Sequence, residues 1–486
     1  MTPTTRVVVI GGGMAGARLA RQLTAAPAAP AGSGAAVANA VTAPLSVTVI
    51  GEEPHPPYNR VLLAEVLAGR YAPEVIELPA PGSGARRMSG VRAVRIDRDT
   101  RRVLCDDGQD IPYDLLVLAT GANPVLPPLR GLFTAGGGDL PDGVHPFRTM
   151  DDCQALAAAV RPGAPVVVIG GGLLGVSAAR ALAGRGAQVV LAHQGEHLME
   201  RHLDADAAEL LGKHMAALGI EVHTECRVRG IGTGPRQQAP EWESASEPAS
   251  ASTPESRSES AKASSAAPAP RAVRAVELAD GFRLDAELVV LACGVRPRTG
   301  LAQAAGLDVG RGVRVDDTLR TSDPRIFAIG DCAEHNGTVY GLAGAAQEQA
   351  DALARVLPHA LTEAPSGPNT PVTSGTAPYT GTRALTRLTL ASQEAPASTS
   401  PTNHPSFPFD LAAFGETTPL PGDDVVRLSD ATRTSYRKVV VRGDRLVGGI
   451  LLGDLGTVGA LARTWEGDEP LPTAPLLHLL TTDGGF

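Results

Sequence analysis

The feature that most constrains this chain is an internal duplication. The run Val7-Val-Val-Ile-Gly-Gly-Gly-Met-Ala-Gly16 returns as Val166-Val-Val-Ile-Gly-Gly-Gly-Leu-Leu-Gly175. In each copy a β-branched run enters a glycine turn and leaves it as Ala/Leu-rich sequence, Ala17–Leu23 in one and Val176–Leu182 in the other. That order reads as strand, tight turn, helix. Each unit also closes on a matching apolar strand and turn, Asp114-Leu-Leu-Val-Leu-Ala-Thr-Gly-Ala-Asn-Pro124 and Glu287-Leu-Val-Val-Leu-Ala-Cys-Gly-Val-Arg-Pro297. Unbroken apolar strands between helical segments require a parallel sheet covered on both faces, so the expected fold class is α/β.

The glycines sit where a dinucleotide-binding turn needs them, directly after a strand and at the opening of a helix. Gly11 permits the tight turn, Gly13 lets the backbone approach a pyrophosphate, and Gly16 allows close helix–strand packing. Free N–H groups at the helix start, from Met14 and Ala15, favour phosphate. Gly170, Gly172 and Gly175, with Leu173 and Leu174, repeat the arrangement. The strand Ser46–Gly51 ends at Glu52, where a carboxylate can meet a ribose diol. The spacing from Gly16 exceeds the usual ~20 residues, but removing the Ala/Pro/Gly/Ser-rich stretch 25–44 restores it. The second unit's corresponding strand, Ala187–Ala192, ends at His193. An acid there usually accompanies NAD and a nearby arginine NADP. Histidine fits neither pattern, although the lack of an immediately following arginine points towards NADH. Titration near pH 6.5 is expected to let His193 modulate that choice.

Bulk properties remove other classes. At 486 residues the chain is long enough for two or three domains. A net charge of −9 argues against nucleic acid, and no apolar run reaches membrane-spanning length. The N-terminus enters a strand at once, with no signal h-region, so a cytoplasmic protein is expected. Cys105, Cys153, Cys226, Cys293 and Cys332 are too scattered for a C-x-x-C pair, a zinc motif or an iron–sulfur motif, and no metal ligands are expected.

The segment Thr321-Ser-Asp-Pro-Arg-Ile-Phe-Ala-Ile-Gly-Asp331 resembles the second flavin fingerprint of the two-dinucleotide-binding-domain flavoproteins. Pro57-Tyr-Asn-Arg-Val-Leu-Leu-Ala-Glu-Val-Leu-Ala-Gly69 and Leu198-Met-Glu-Arg-His-Leu-Asp204 resemble the flavin portion of the large subunit of assimilatory nitrite reductase, and stand-alone reductases that feed assimilatory nitrate reductase. This resemblance implies two Rossmann-like domains, for FAD and NAD(P), plus a small α/β C-terminal domain involved in packing or homodimer contacts. It implies FAD at Gly11, Gly13, Met14, Ala15, Gly16, Glu52, Asn59, Arg60, Thr120, Gly121, Gly330 and Asp331. It implies NADH or NADPH at Gly170, Gly172, Leu173, Leu174, Gly175, His193 and Gly294. The expected divisions are 1–149 and 298–362 for the two parts of the FAD domain, 150–297 for NAD(P) and 407–486 for the C-terminal domain. Low-complexity insertions are expected at 25–44, 234–270, 360–378 and 391–406.

Departures from the family pattern narrow the chemistry. Residues 55–70 hold no cysteine, which disfavours disulfide, peroxide and CoA-disulfide reduction. Without clustered cysteines the chain is not expected to reduce nitrite by itself. Ser177 stands where many relatives carry Glu near the nicotinamide and Glu65 where ferredoxin-reductase-like members carry Lys, so the familiar Lys–Glu pair is missing. The expected activity is electron transfer from NAD(P)H through FAD to a partner, either an assimilatory nitrate or nitrite reductase or a small iron–sulfur protein, with no side chain acting as acid or base. The alternatives are a ferredoxin/rubredoxin reductase, an NAD(P)H oxidase, and an NADH-sensing flavoprotein switch.

Overall fold

The structure is a computed structural model that describes residues 4–25, 45–82, 84–133, 138–235, 271–358, 378–383, 385–390, 409–430, 434–453, 455–471, 478 and 480. The four expected insertions lie outside these residues, apart from Ala25, Gly234, Pro235 and Pro378.

The duplication becomes two parallel five-stranded sheets. In the first, Thr5–Ile10 lies between Leu45–Gly51 and Leu115–Leu118, with Ala85–Ser89 and Ile326–Ala328 on the two edges. In the second, Pro165–Ile169 lies between Gln188–Ala192 and Leu288–Leu291, flanked by Glu221–His223 and Val144–Pro146. The two glycine strands are therefore equivalent in place as well as in sequence. Val7, Val8 and Val9 are at most 1% exposed and Val166, Val167 and Val168 likewise, as expected for strands covered on both faces. The edge strand Ile326–Ala328 brings the second flavin-like fingerprint back beside the first glycine turn.

Two boundaries differ from the expectation. Val144–Pro146 pairs with Leu288–Leu291, so the second sheet takes up residues assigned to the first domain. The strand Val228–Pro235 runs two residues into the stretch read as insertion and pairs with Arg271–Leu278, because ladder hydrogen bonds override the weak local preference of Gly234 and Pro235.

The turns that close the two units also meet. Ala122–Pro124 and Val295–Pro297 form an antiparallel ribbon, with Arg296 opposite Asn123, and tie the domains where the chain crosses between them.

After residue 378 the chain builds an antiparallel sheet in the order Thr386–Thr389, Asp410–Gly415, Arg445–Gly453, Ser435–Arg442, Asp424–Asp430, followed by helix Val458–Gly467. Gly443-Asp444, a hairpin signal between two alternating apolar segments, forms the turn between the last two of these strands in sequence, with Gly443 at φ +63°. This unit packs on the second dinucleotide domain. Asp204 caps helix Ala205–Ala217 and also accepts from Tyr436 Oη at 2.8 Å and Lys438 Nζ at 2.7 Å. Next to this pair His214 stacks on Phe409, ring centroids 4.2 Å apart. Among the described residues no helix is long and apolar enough to cross a membrane.

Candidate functional site

Both glycine turns open into one cleft of about 2410 Å³, more than one small ligand needs. Gly11 has φ +121° and Gly170 φ +114°, and a Cβ on either would strike the carbonyl oxygen of Ala119 or Ala292 in the neighbouring strand. Gly16 and Gly175 do not line the cleft. Each presses the first helical turn against the preceding Gly11 or Gly170 carbonyl, a packing role. Over Gly13 and Gly172 there is open space, and each precedes its helix as an N-cap without a side-chain acceptor. The first-turn N–H groups therefore lack an intrahelical partner and suit phosphate at both turns, as a pair of dinucleotides requires. Met14, Ala15, Leu173, Leu174, Thr120, Gly121 and Gly294 line the same cleft.

Around the first turn the predicted residues are held by partners that sequence reading missed. Arg148, directly before the capping box of Thr149 and Asp152, places Nη2 2.6 Å from Asp331 Oδ2, and its Nε donates to the Ala122 carbonyl at 3.4 Å. Arg60 donates to the Arg148 carbonyl and to Glu53 Oε1 at 2.6 Å. Tyr58 Oη donates to Glu53 Oε2 at 2.6 Å and accepts from the Met150 N–H at 3.0 Å. Burial would raise the Glu53 carboxyl, but the Arg60 charge and the hydrogen bonds from Tyr58 and Arg60 outweigh it and hold the pKa low. Arg60 is thus a fixed cation in the cleft wall rather than a solvated loop charge. Asn59 departs from expectation: its side chain accepts from the Val61 N–H as the cap of a short 3₁₀ turn, and it does not line the cleft.

Glu52 lies in the cleft beyond its strand, with Arg298 Nη2 2.5 Å from Oε2. Thr120 Oγ1 donates to the Arg298 carbonyl at 2.9 Å. Gly330, at φ +77°, donates its N–H to the buried Gln349 Oε1 at 2.7 Å, which sets the direction of the Gly330-Asp331 turn. The capping pattern after Arg148 was readable in the sequence, whereas nothing local to Arg298 or Gln349 marked them.

At the second turn His193 follows Gln188–Ala192 as predicted, but its ring lies folded over Gly171. Its Nδ1 accepts from the Gly171 N–H at 3.2 Å. Its Nε2 is shielded and without a hydrogen-bond partner. Burial pushes the imidazole pKa below its usual value despite the nearby Glu200 carboxylate, so protonation near pH 6.5 is not what this geometry favours. His193 lines the cleft, with one ring nitrogen taken by the Gly171 N–H and the other shielded.

Glu65 is engaged away from the cleft. Glu65 is bridged at 2.5 Å by both Arg70 and the buried Arg180, the latter from the helix after the second glycine turn, so the pair joins the two domains. Ser177 donates to the Leu173 carbonyl at 2.7 Å. Cys332 is buried beneath the Thr120–Gly121 turn and its thiol pKa is raised by burial. Burial pushes the Cys153 and Cys293 thiols up to about 11. None is a low-pKa nucleophile.

The sequence pattern of the pyridine nucleotide-disulphide oxidoreductase family matches residues 5–246 and 256–350, and that of the rubredoxin NAD+ reductase C-terminal domain matches 406–464. The chain is 29% identical over 453 residues to a nitrite reductase [NAD(P)H] of Bacillus subtilis (strain 168), covering 92% of this chain and 46% of that protein. It is 34% identical over 312 residues to the assimilatory nitrate reductase electron transfer subunit of the same organism, covering 63% of this chain and 35% of that one. The chain thus spans less than half the length of either relative. A putidaredoxin reductase–putidaredoxin complex contains a chain of the same fold, with TM-score 0.72 and 22% identity, covering 98% of both.

Proposed function

This chain belongs to the pyridine nucleotide-disulphide oxidoreductase family, and from that premise we propose that it takes electrons from NAD(P)H and delivers them to a separate redox protein. The observation that carries the reading is the single cleft shared by two glycine turns, with no low-pKa thiol beside it. FAD, one of the family's cofactors, supplies two-electron uptake and stepwise release when bound.

The protein's part is position and electrostatics. The N–H groups after Gly13 and Gly172 receive pyrophosphates, Glu52 offers a carboxylate to a ribose, and the Arg60–Glu53 and Arg148–Asp331 pairs set a rigid, charge-balanced floor. The acceptor we favour is an enzyme of nitrate or nitrite assimilation, on the likeness to the two Bacillus subtilis proteins. A small iron–sulfur acceptor is the second reading, favoured by the C-terminal match at 406–464.

Purified protein is expected to lose its flavin absorbance on anaerobic mixing with NADH or NADPH. Reoxidation is then compared with an assimilatory nitrate reductase and with a rubredoxin as the added acceptor. Absence of flavin reduction by either nucleotide rejects the proposal, and the faster acceptor decides between the two readings.

A further inference from the structure

His193 cannot act as the selector between the two nicotinamide nucleotides while Gly171 occupies one ring nitrogen and packing hides the other. The position next to it is supplied from another part of the chain. A Cβ at Gly195 would strike Glu200 Oε2 and would stand 2.8 Å from His193 Nε2. The carboxylate therefore rests on the bare Gly195 backbone, beside the strand end where an acid is usually found.

Glu200 is tied to the glycine turn as well. The preceding residue, Met199, is buried with φ +54° and donates its N–H to the Gly171 carbonyl at 2.9 Å. A left-handed backbone at a non-glycine residue is held only by its surroundings. Here the Leu203 N–H and the His202 N–H both bond to the Met199 carbonyl, at 3.0 and 2.7 Å. Asp204 then starts the helix that carries the C-terminal domain. Glu200 itself is exposed and lines the cleft.

We propose that Glu200 selects NADH over NADPH, accepting from the hydroxyls of the adenosine ribose and repelling a 2′-phosphate. This rests on the reading of the second glycine turn as the nucleotide site. His193 then serves as the platform that orients the loop, and Gly195 is the residue that lets the carboxylate reach the strand end. Arg201, Arg227 and Arg229 line the same cleft and would be the partners of a 2′-phosphate if the site were built for one.

Two measurements test this on the flavin-loaded protein and its Glu200→Gln variant. The first is flavin reduction by NADH and by NADPH. The second is calorimetric binding of 5′-AMP and of adenosine 2′,5′-bisphosphate, which does not depend on turnover. The unmodified protein is expected to prefer NADH at least about tenfold, the scale of one like-charge contact near a protein surface. The variant should narrow that preference at least about fivefold, through a lower KM for NADPH, and should bind the bisphosphate more tightly by a similar factor while AMP binding changes little. A preference for NADPH in the unmodified protein, or an unchanged ratio in the variant, overturns the assignment of Glu200. If neither adenine nucleotide binds and neither coenzyme reduces the flavin, the reading of the second turn fails, and this proposal fails with it.

Discussion

Arg148 and Asp331 meet at 2.6 Å although 183 residues separate them in sequence. Arg148 stands on the segment that leads into the second domain, and Asp331 ends the fingerprint that returns to the first. Both side chains are less than one-fifth exposed, so their pairing is screened little by water. Through the Arg148 carbonyl the pair continues to Arg60 and Glu53, so one connected set of charges joins the crossover to the floor of the cleft.

Asp331→Asn tests that pair. The shape is kept, but Arg148 loses its counter-charge, and the charged hydrogen bond is worth about 2 kcal/mol. The variant is expected to unfold at lower urea and to lose flavin on gel filtration under conditions where the unmodified protein keeps it. Equal flavin retention by both would show that Asp331 does not hold the cofactor.

A cysteine-free protein should still be reduced by NAD(P)H. The buried thiols have raised pKa values and donate only to backbone carbonyls, such as Cys153 to Leu63 and Cys332 to Leu118. Replacement of all five by Ala or Ser is expected to leave stopped-flow flavin reduction within about threefold, with a stability cost typical of small core changes. A folded variant whose flavin stays oxidised would reveal thiol chemistry in the cleft.

The C-terminal unit depends on Lys438. Its ammonium, 10% exposed, bonds Asp204, whose carboxyl would be raised by burial but is held low by Lys438, the Ala207 N–H and Tyr436. Lys438→Met removes one partner of a mostly buried pair, expected to cost about 3 kcal/mol. Limited proteolysis should then release the C-terminal unit sooner, whereas Asp204→Asn with Lys438→Met together should recover part of the loss. Unchanged proteolysis would mean that the His214–Phe409 stack and apolar contacts suffice.

Burial holds the imidazoles of His145, His193, His202 and His214 below their ordinary pKa. The unfolded chain therefore takes up protons near pH 6.5 that the folded chain refuses. Stability from these groups is complete above that pH and is lost as pH falls from it towards the lower folded values. The lowered carboxyls, such as Glu53 and Asp204, act in a separate window, below the unfolded carboxylate pKa of about 4. Urea midpoints should fall between pH 7.5 and 5.5, with a shallower fall in a His202→Gln, His214→Gln double variant. A flat midpoint across that range would contradict the histidine assignment.

What was legible in the sequence was written in local repeats. The two strand–turn–helix units, the need for glycine at positions 11 and 170, and the hairpin at Gly443-Asp444 follow from residues a few places apart, because backbone sterics and side-chain periodicity act at that range. Glu52 and Asp331 both line the cleft, Glu52 expected from the end of its own strand pattern and Asp331 from the resemblance of its segment to a flavin fingerprint. Their partners were not legible. Arg298 on Glu52, Arg148 on Asp331 and the ribbon of Ala122–Pro124 with Val295–Pro297 join segments far apart in sequence, and Glu200 comes beside His193 only through the fold of the loop within the second unit. The side-chain directions of Asn59 and His193 were not legible for the same reason: a side chain named by its position in a motif still has its direction chosen by the hydrogen bond it finds. Asn59 found the Val61 N–H and does not line the cleft, whereas His193 lines the cleft with its Nδ1 taken by the Gly171 N–H.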